Sequence, residues 1–214
     1  MKPVDEFLHA HTQVAHHPFV PEIALHIARE VVPIWQAMEV WQGSNNLPPP
    51  YWAFCWPGGA ALTRYVLDHP DVVRGKRVLD FAAGCGVTAI AAAMNGAMAT
   101  AADIDLVAAQ VIPRNATLNN VNVAVVTLDV TEGADDGWDV VLAGDVCYER
   151  PMAGQVFGWL RRNAAAGATV LMADPGRDYL PKEGLERVAQ YTVPTTMDLE
   201  KDPSRSTTVY RVLP

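Results

Sequence analysis

The regular alternation of short apolar runs with amphipathic segments after residue 76 most constrains the fold of this chain. Seven runs are predicted to be strands: 77–81, 99–103, 123–128, 139–143, 169–173, about 190–193 and 207–212. The predicted helices are 58–67, 87–94, 106–118, 152–163 and 182–188. This order predicts an α/β, Rossmann-like, mostly parallel seven-strand sheet with helices on both faces, because each crossover helix must pack back onto the sheet. The polar stretch 195–205 shows no convincing helix, so one strand of the final pair is expected to be antiparallel.

A proline cluster divides the chain into two parts. Pro48, Pro49 and Pro50 follow the run Gly43-Ser44-Asn45-Asn46, and such a stretch cannot be helical. We therefore predict an N-terminal helical extension over residues 1–50 and a second unit over 51–214. Within the extension, apolar residues at spacings of three and four predict a helix over 21–41, which Pro33 should kink or split.

Composition and charge limit the classes of partner. The chain has 214 residues, of which 50% are apolar, enough to bury a sizeable core. The net charge of −8 and the isoelectric point of about 5.1 argue against broad binding to nucleic acid or to an anionic membrane. A basic protein segment is the better electrostatic match.

Several local features bear on location, metals and assembly. The first thirteen residues carry charges where a secretory signal needs an apolar run, so a cytoplasmic location is expected. The three cysteines have no C-x-x-C spacing and are predicted to be reduced thiols. No metal is predicted, since the histidines near the start lack companions at ligand spacing: His9, His11, His16 and His17. The uncharged run 81–102 is broken by glycines and is not expected to span a bilayer. Without a long heptad repeat, a monomer is expected.

Acidic residues stand at or just after the ends of the first five predicted strands, where ligands of open α/β sheets bind. They are Asp80, Asp103, Asp129, Asp145 and Asp174. Asp103 follows Asp80 by 23 residues, close to the usual spacing between a glycine loop and the acid that binds a ribose diol. This spacing suits a nucleoside but leaves open a nicotinamide dinucleotide or S-adenosylmethionine.

The loop after the first strand favours S-adenosylmethionine. It reads A-A-G-C-G from Ala82 to Gly86, so it lacks the first glycine of the fingerprint that gives a pyrophosphate room. Asp80 opens the loop, and its carboxylate would repel a phosphate but attract the ammonium group of a methionine. Gly86 is a weaker ligand candidate than Gly84, because helix packing would also explain it.

Five motifs carry a resemblance to a known family. They are V-L-D-F-A-A-G-C-G, A-D-I-D, the D-x-x-Y of Asp145 to Tyr148, Y-W-A-F-C-W-P-G-G from Tyr51, and A-D-P-G-R from Ala173. Together they resemble the seven-β-strand, S-adenosylmethionine-dependent protein-lysine methyltransferases of family sixteen, and in particular the branch that modifies the electron-transfer flavoprotein β subunit. The resemblance runs from about residue 50 to the end and departs from the family pattern at Ala82.

The resemblance implies a class I methyltransferase sheet with S-adenosylmethionine as cofactor and a protein lysine as substrate. The residues predicted to bind the cofactor are Trp56, Gly59, Asp80, Ala82, Gly84, Asp103, Ile104, Asp129 and Val130. Among these, Asp129 would accept from the adenine amino group, or else be a solvent-facing turn residue. Trp56 is equally well explained as a wall of the cofactor pocket or as a staple between helix and sheet.

Asp145 and Tyr148 are the predicted catalytic residues. Asp145 is expected to orient the lysine amine by charge-assisted hydrogen bonding, and Tyr148 to shape the site. The alternative is that Asp145 caps a helix beginning near Pro151 and that Tyr148 is a half-buried core aromatic. Arg177 is by default a surface-loop residue, which would contact the substrate only by analogy with the family.

Other functions share these features. A methyltransferase acting on ribosomal proteins or small amines would use the same fold. A nicotinamide-dependent oxidoreductase would share the strand, loop and ribose acid but needs a loop suited to pyrophosphate. A catalytically silent binding module would retain the cofactor site without transferring a methyl group.

Overall fold

The computed structural model describes residues 3–132 and 137–214. The strands are β1 (Gln13–His17), β2 (Val20–Ile27), β3 (Arg77–Phe81), β4 (Met98–Ala102), β5 (Ala124–Val126), β6 (Val140–Gly144), β7 (Thr169–Asp174), β8 (Leu185–Pro194) and β9 (Ser204–Val212). The helices are α1 (Val4–His11), α2 (Val31–Gln42), α3 (Pro57–Asp68), α4 (Val87–Met94), α5 (Ala108–Leu118), α6 (Met152–Ala165) and α7 (Met197–Glu200).

Seven strands form the central sheet in the order β5-β4-β3-β6-β7-β9-β8. Neighbouring strands from β5 to β7 run parallel, and β9 is antiparallel to both β7 and β8. The predicted sheet with one antiparallel strand is therefore confirmed. Because β4 and β6 lie on opposite sides of β3, the strand order reverses at β3. The loops after β3 and β6 therefore diverge and leave a crevice between them.

Apolar residues fill both faces of the sheet. Val140 to Ala143 of β6 are completely buried, as expected for a central parallel strand covered on both sides. Helices α3, α4 and α5 share one core, and α6 packs into a second core on the opposite face. In the part of the chain that the structure describes, no helix is both long and apolar enough to cross a bilayer. The run 81–102 forms a loop, α4, a turn and β4.

The N-terminal region is only partly helical, so the predicted helix over 21–41 is wrong in its first half. Residues Val20–Ile27 form β2, which pairs antiparallel with β1, and α2 begins only at Val31. Ile23 and Leu25 alternate with more exposed residues and are buried, a period-two pattern that outweighed the helical spacing. Pro33 lies in the first turn of α2, where a backbone N–H has no partner within the helix, so it neither kinks nor splits it. The division at residue 50 stays a prediction.

Two side chains, one in α5 and one directly after it, hold the N-terminal hairpin against the main sheet. Asn115 Oδ1 accepts from the His26 N–H at 2.8 Å, and Asn119 accepts from and donates to the Ala24 backbone at 2.8 and 2.7 Å. These amides therefore satisfy backbone groups that β1 leaves unpaired. Asn115 Nδ2 also donates to the Cys85 carbonyl at 2.9 Å, which connects the hairpin to the loop after β3.

The segment from residue 182 to 205, which contains β8 and α7, differs from two predictions. The segment 182–188, predicted to be helical, instead leads into β8, which starts at Leu185. The strand is longer than predicted because β9 offers it a partner along its whole length. In the stretch 195–205, α7 forms one turn, with Thr196 Oγ1 accepting from the Leu199 N–H at 3.3 Å.

Close backbone approach fixes the start of α3 against the end of β6. A Cβ on Gly144 would lie 2.8 Å from the Gly59 nitrogen, and a Cβ on Gly58 would lie 2.6 Å from the Ala173 carbonyl oxygen. Both distances are too short for a carbon atom. Glycine at these positions therefore permits a contact that brings the first turn of α3 to the residue after β6.

Substitution Gly144→Ala should destabilise the protein by about 2 kcal/mol or more, because the added methyl group forces α3 away from β6. The matched control is Gly154→Ala, at an exposed helical position where a Cβ meets nothing within 4 Å. The control should gain up to about 1 kcal/mol. Urea unfolding of both variants checks this, and equal stabilities would contradict the account.

Candidate active site

The loop after β3 and the residue after β4 form one connected unit. Asp103 Oδ2 accepts from the Gly84 N–H at 2.8 Å, and its Oδ1 accepts from the Asp105 N–H at 2.9 Å. The Ile104 N–H also interacts with this carboxylate. Burial raises the pKa of Asp103, against the lowering effect of these N–H groups. The carboxylate is held in place by backbone N–H groups and keeps acceptor capacity for a ligand hydroxyl.

Three residues of the loop adopt left-handed backbone conformations. Ala82, Gly84 and Gly86 have φ of 52°, 53° and 77°. A side chain costs about 1–2 kcal/mol in this region, which explains why the family pattern has glycine where this chain has Ala82. A Cβ on Gly86 would lie 2.9 Å from Ile112 Cγ2 of α5, so the helix-packing explanation of Gly86 agrees with the structure.

Asp80, near the end of β3, caps the helix that follows the same loop. It is 3% exposed, and its Oδ2 accepts from the Ala89 N–H at 2.9 Å, in the first turn of α4. Burial raises the pKa of Asp80 to about 8, the Ala89 N–H lowers it, and the charge of Asp103 raises it further. A nearby cation would restore its charge, so the carboxyl group fits the predicted partner, an ammonium group.

The predicted adenine-side residues lie at the same edge of the sheet. Asp129 is exposed and accepts from Thr131 N–H and Oγ1 at 2.9 and 2.6 Å. Ile104 is 74% exposed, whereas Val130 is half-buried against the α6 core. Leu128, which sequence reasoning missed, is 69% exposed beside Asp129. Exposed apolar side chains next to carboxylates suit the flat face of a base.

An aromatic row crosses the crevice. Trp56 Nε1 donates to the Tyr51 carbonyl at 2.9 Å, and the Tyr51 ring lies 5.8 Å from the Trp56 ring and 5.5 Å from the Tyr148 ring. Tyr148 is 40% exposed, and burial is the main cause that raises its pKa to about 12. Its hydroxyl therefore stays protonated at neutral pH. A Cβ on Gly59 would make only ordinary contact with Val87 Cγ1, at 3.6 Å.

Asp145 caps α3, and not the helix near Pro151 as the alternative supposed. Its Oδ2 accepts from the Gly58 and Gly59 N–H groups at 2.5 and 3.2 Å. These are the donors that an N-cap side chain normally satisfies, and α3 has no such side chain of its own. Burial raises the pKa of Asp145 to about 6, although the positive charge of Arg177 lowers it.

Arg177 and Glu200 complete the site, and the default assignment of Arg177 to the surface is wrong. Arg177 Nη2 donates to Asp145 Oδ1 at 2.8 Å and to Glu200 Oε1 at 2.6 Å. Its guanidinium also lies 6.0 Å from the Trp56 ring centre. The D-P-G-R turn was the only hint in the sequence that Arg177 belongs to the site, because its partner Glu200 lies in another segment.

Comparisons with known proteins agree on the family. The model of the ribosomal protein L11 methyltransferase (PrmA) family matches residues 61–146. The electron transfer flavoprotein beta subunit lysine methyltransferase of Danio rerio is 38% identical over 89% of this chain and 76% of its own length. The Homo sapiens protein of that name is 36% identical over 99% of this chain and 82% of its own length.

The chain belongs to the electron transfer flavoprotein beta subunit lysine methyltransferase family. The predicted S-adenosylmethionine-dependent lysine methyltransferase is thereby confirmed at the level of the family.

Solved structures support the fold alone. A putative RNA methyltransferase from Pyrococcus horikoshii superposes with a TM-score of 0.57 at 17% identity, covering 79% of this chain and 91% of its own. Magnesium protoporphyrin IX methyltransferase from Synechocystis, crystallised with its methyl donor, gives 0.53 at 15%, covering 71% and 76%. The sheet and its helices are therefore those of the class I methyltransferases.

Substitution Asp80→Asn should change how stability depends on pH. The folded wild-type protein keeps the Asp80 proton up to about pH 8, whereas the unfolded chain releases it near pH 4. The free energy of unfolding therefore falls as pH rises across this window, and the asparagine variant lacks that loss. Its stability relative to wild type should rise by about 1 kcal/mol per pH unit, measured by urea unfolding between these limits. A difference that stays constant with pH would contradict the burial of a protonated Asp80.

Proposed function

We propose that this enzyme methylates lysines of the electron-transfer flavoprotein β subunit. Two observations support this substrate: relatives of that name match over most of their length, and the motifs that carry the family resemblance follow β3, β4, β6 and β7 in this chain. The main support for methyl transfer at this place is a series of contacts that joins Asp145 to the tyrosines. Arg177 pairs with Asp145 at 2.8 Å and lies 6.0 Å from the Trp56 ring. The Tyr51 ring lies 5.8 Å from that of Trp56 and 5.5 Å from that of Tyr148.

The described residues fit S-adenosylmethionine. Asp103 is held by backbone N–H groups, and its carboxylate keeps acceptor capacity for the ribose. Asp80, with its pKa raised to about 8, would be stabilised as a carboxylate by the methionine ammonium. Bound S-adenosylmethionine supplies an electrophilic methyl group on a positively charged sulfur.

Asp145 is the residue that would orient the target amine. A carboxylate offers about four acceptor positions. The described contacts fill three of them: two on Oδ2 from α3, and one on Oδ1 from Arg177. One position on Oδ1 is left, so the amine would have a single direction of approach. With a pKa of about 6, Asp145 is too weak a base to hold the proton of a lysine, and that proton must leave to solvent.

Tyr148 and Tyr51 would form the wall beside the amine. Burial is the main cause that raises the pKa of both hydroxyls, so each remains a neutral donor or acceptor. Partly apolar surroundings disfavour the ammonium form of a lysine and favour the neutral amine that methyl transfer needs.

We also propose a basic protein segment as partner, a cytoplasmic location and a monomeric enzyme. The acidic charge of −8 supports the first proposal. The cysteines, which are free and buried, suit a reducing compartment.

The ribosomal-protein alternative retains one supporting observation, the family model that matches residues 61–146. That segment holds the cofactor strands β3 to β6 and stops before Arg177 and Glu200. The match therefore supports binding of the methyl donor and says little about which protein accepts the methyl group. The flavoprotein subunit remains the preferred substrate.

The test incubates the enzyme with radiolabelled S-adenosylmethionine, the purified flavoprotein β subunit and an extract of cells that lack the enzyme. Label should appear on the flavoprotein subunit. Asp145→Asn should lower the rate about 100-fold, because the amine loses its orienting charge. Label on small ribosomal proteins alone would overturn the proposed substrate.

The matched control is Asp71→Asn, the same chemical change at a carboxylate whose side chain is 89% exposed. It should transfer methyl groups at the wild-type rate. If the two asparagine variants have equal rates, Asp145 does not orient the amine.

A further inference from the structure

A half-buried ion-pair network stands directly behind the Asp145 carboxylate. Arg177 Nη2 bridges Asp145 and Glu200, and Arg177 Nη1 reaches Glu200 Oε2 at 3.2 Å. The side chains of Arg177, Asp145 and Glu200 are 19%, 11% and 4% exposed. Two donors of one guanidinium on one carboxylate form the planar pairing that arginine makes and lysine cannot.

Both ends of this network are anchored to the fold. Asp174 Oδ1, at the end of β7, accepts from the Gly176 and Arg177 N–H groups at 2.7 and 2.6 Å. Glu200 ends α7, and in the same helix Asp198 Oδ2 accepts from the Val31 N–H at 2.7 Å, at the start of α2. The position of the guanidinium is therefore set by the sheet on one side and by α7 and α2 on the other.

We propose that Arg177 is a positioning residue of methyl transfer: held by Glu200, it fixes the Asp145 carboxylate and balances its charge at the target lysine. This inference rests on the proposed role of Asp145. If Arg177 acts in this way, neither the residue pair nor its anchoring through α7 should be needed to bind the cofactor.

The positive charge of Arg177 would favour the neutral form of the target amine. A lone buried carboxylate would pair with the lysine as its ammonium form, which cannot attack a methyl group. A fixed cation on Oδ1 offsets that attraction, so Asp145 can direct the amine without holding it protonated. Arg177 also removes one direction of approach, which leaves the amine a defined one.

Few other charged or titratable groups face these side chains in the described residues. Around Asp145 they are Arg177, Asp174, Cys55 and Cys147, and around Glu200 they are Arg177 and Arg205. Removal of either charge of the Arg177–Glu200 pair should therefore change the pH dependence of the reaction, and the two removals should act in opposite directions.

The test measures kcat from about pH 6 to about pH 10 for Arg177→Gln, Arg177→Lys and Glu200→Gln. Arg177→Gln should lower kcat about 10-fold or more. It should also move the rise of kcat to higher pH, because an Asp145 carboxylate without Arg177 favours the ammonium form of the target lysine. Glu200→Gln should move it to lower pH, because Arg177 then acts on Asp145 unopposed. Arg177→Lys keeps the charge, so it should restore the wild-type pH profile and only part of kcat.

Controls separate positioning from folding. Arg211→Gln and Glu186→Gln make the same charge changes in an exposed pair and should leave both kcat and the pH profile unchanged. The affinity for S-adenosylhomocysteine should stay within about threefold of wild type in the Arg177 variants. If Arg177→Gln does not fold, the shift of the pH profile of kcat in Glu200→Gln tests the proposal instead.

The proposal is overturned if both pH profiles match wild type, if both shift in one direction, or if kcat falls only as cofactor affinity falls. Transfer is measured on the flavoprotein β subunit, or on bulk extract protein if wild type leaves that subunit unlabelled. A wrong substrate is thus detected with the wild-type enzyme, whereas a wrong role for Arg177 is detected only in the variants.

Discussion

The Asp145 carboxylate is the interaction on which the site depends. It accepts from the first turn of α3 through Gly58 and Gly59 and from the guanidinium of Arg177. Without it, the start of α3 would have unsatisfied donors in a partly buried place, and Arg177 in the loop after β7 would lose its ion pair with the residue after β6. The same group that would orient the substrate therefore also joins three elements of the fold.

Strand-end carboxylates in this protein cap helices as well as face the crevice. Asp80 accepts from α4, and Asp145 accepts from α3. In both cases the helix lacks a capping side chain, since Gly86 and Trp56 occupy the N-cap positions without making such a bond. Function and capping are thus not alternatives: the cap fixes the position of a carboxylate that still has acceptor capacity.

The sequence allowed the sheet and the cofactor edge to be predicted, because both depend on local patterns: apolar runs, the loop at Ala82 and the spacing to Asp103. Long-range partners were not predictable. Glu200 meets Arg177 across 23 residues, and Gly58 meets Asp145 across 87. The hairpin of β1 and β2 was missed although Ile23 and Leu25 alternate with more exposed residues, and the side chains that stabilise its edge, Asn115 and Asn119, are distant in sequence.

The most direct measurement is a crystal structure of the enzyme with S-adenosylhomocysteine and a lysine peptide of the flavoprotein β subunit. We expect the lysine Nζ at about 3 Å from Asp145 Oδ1, with the contacts to Gly58 and Arg177 retained. A lysine bound away from Asp145, or an Asp145 carboxylate that has left α3 and Arg177 to meet it, would contradict the account.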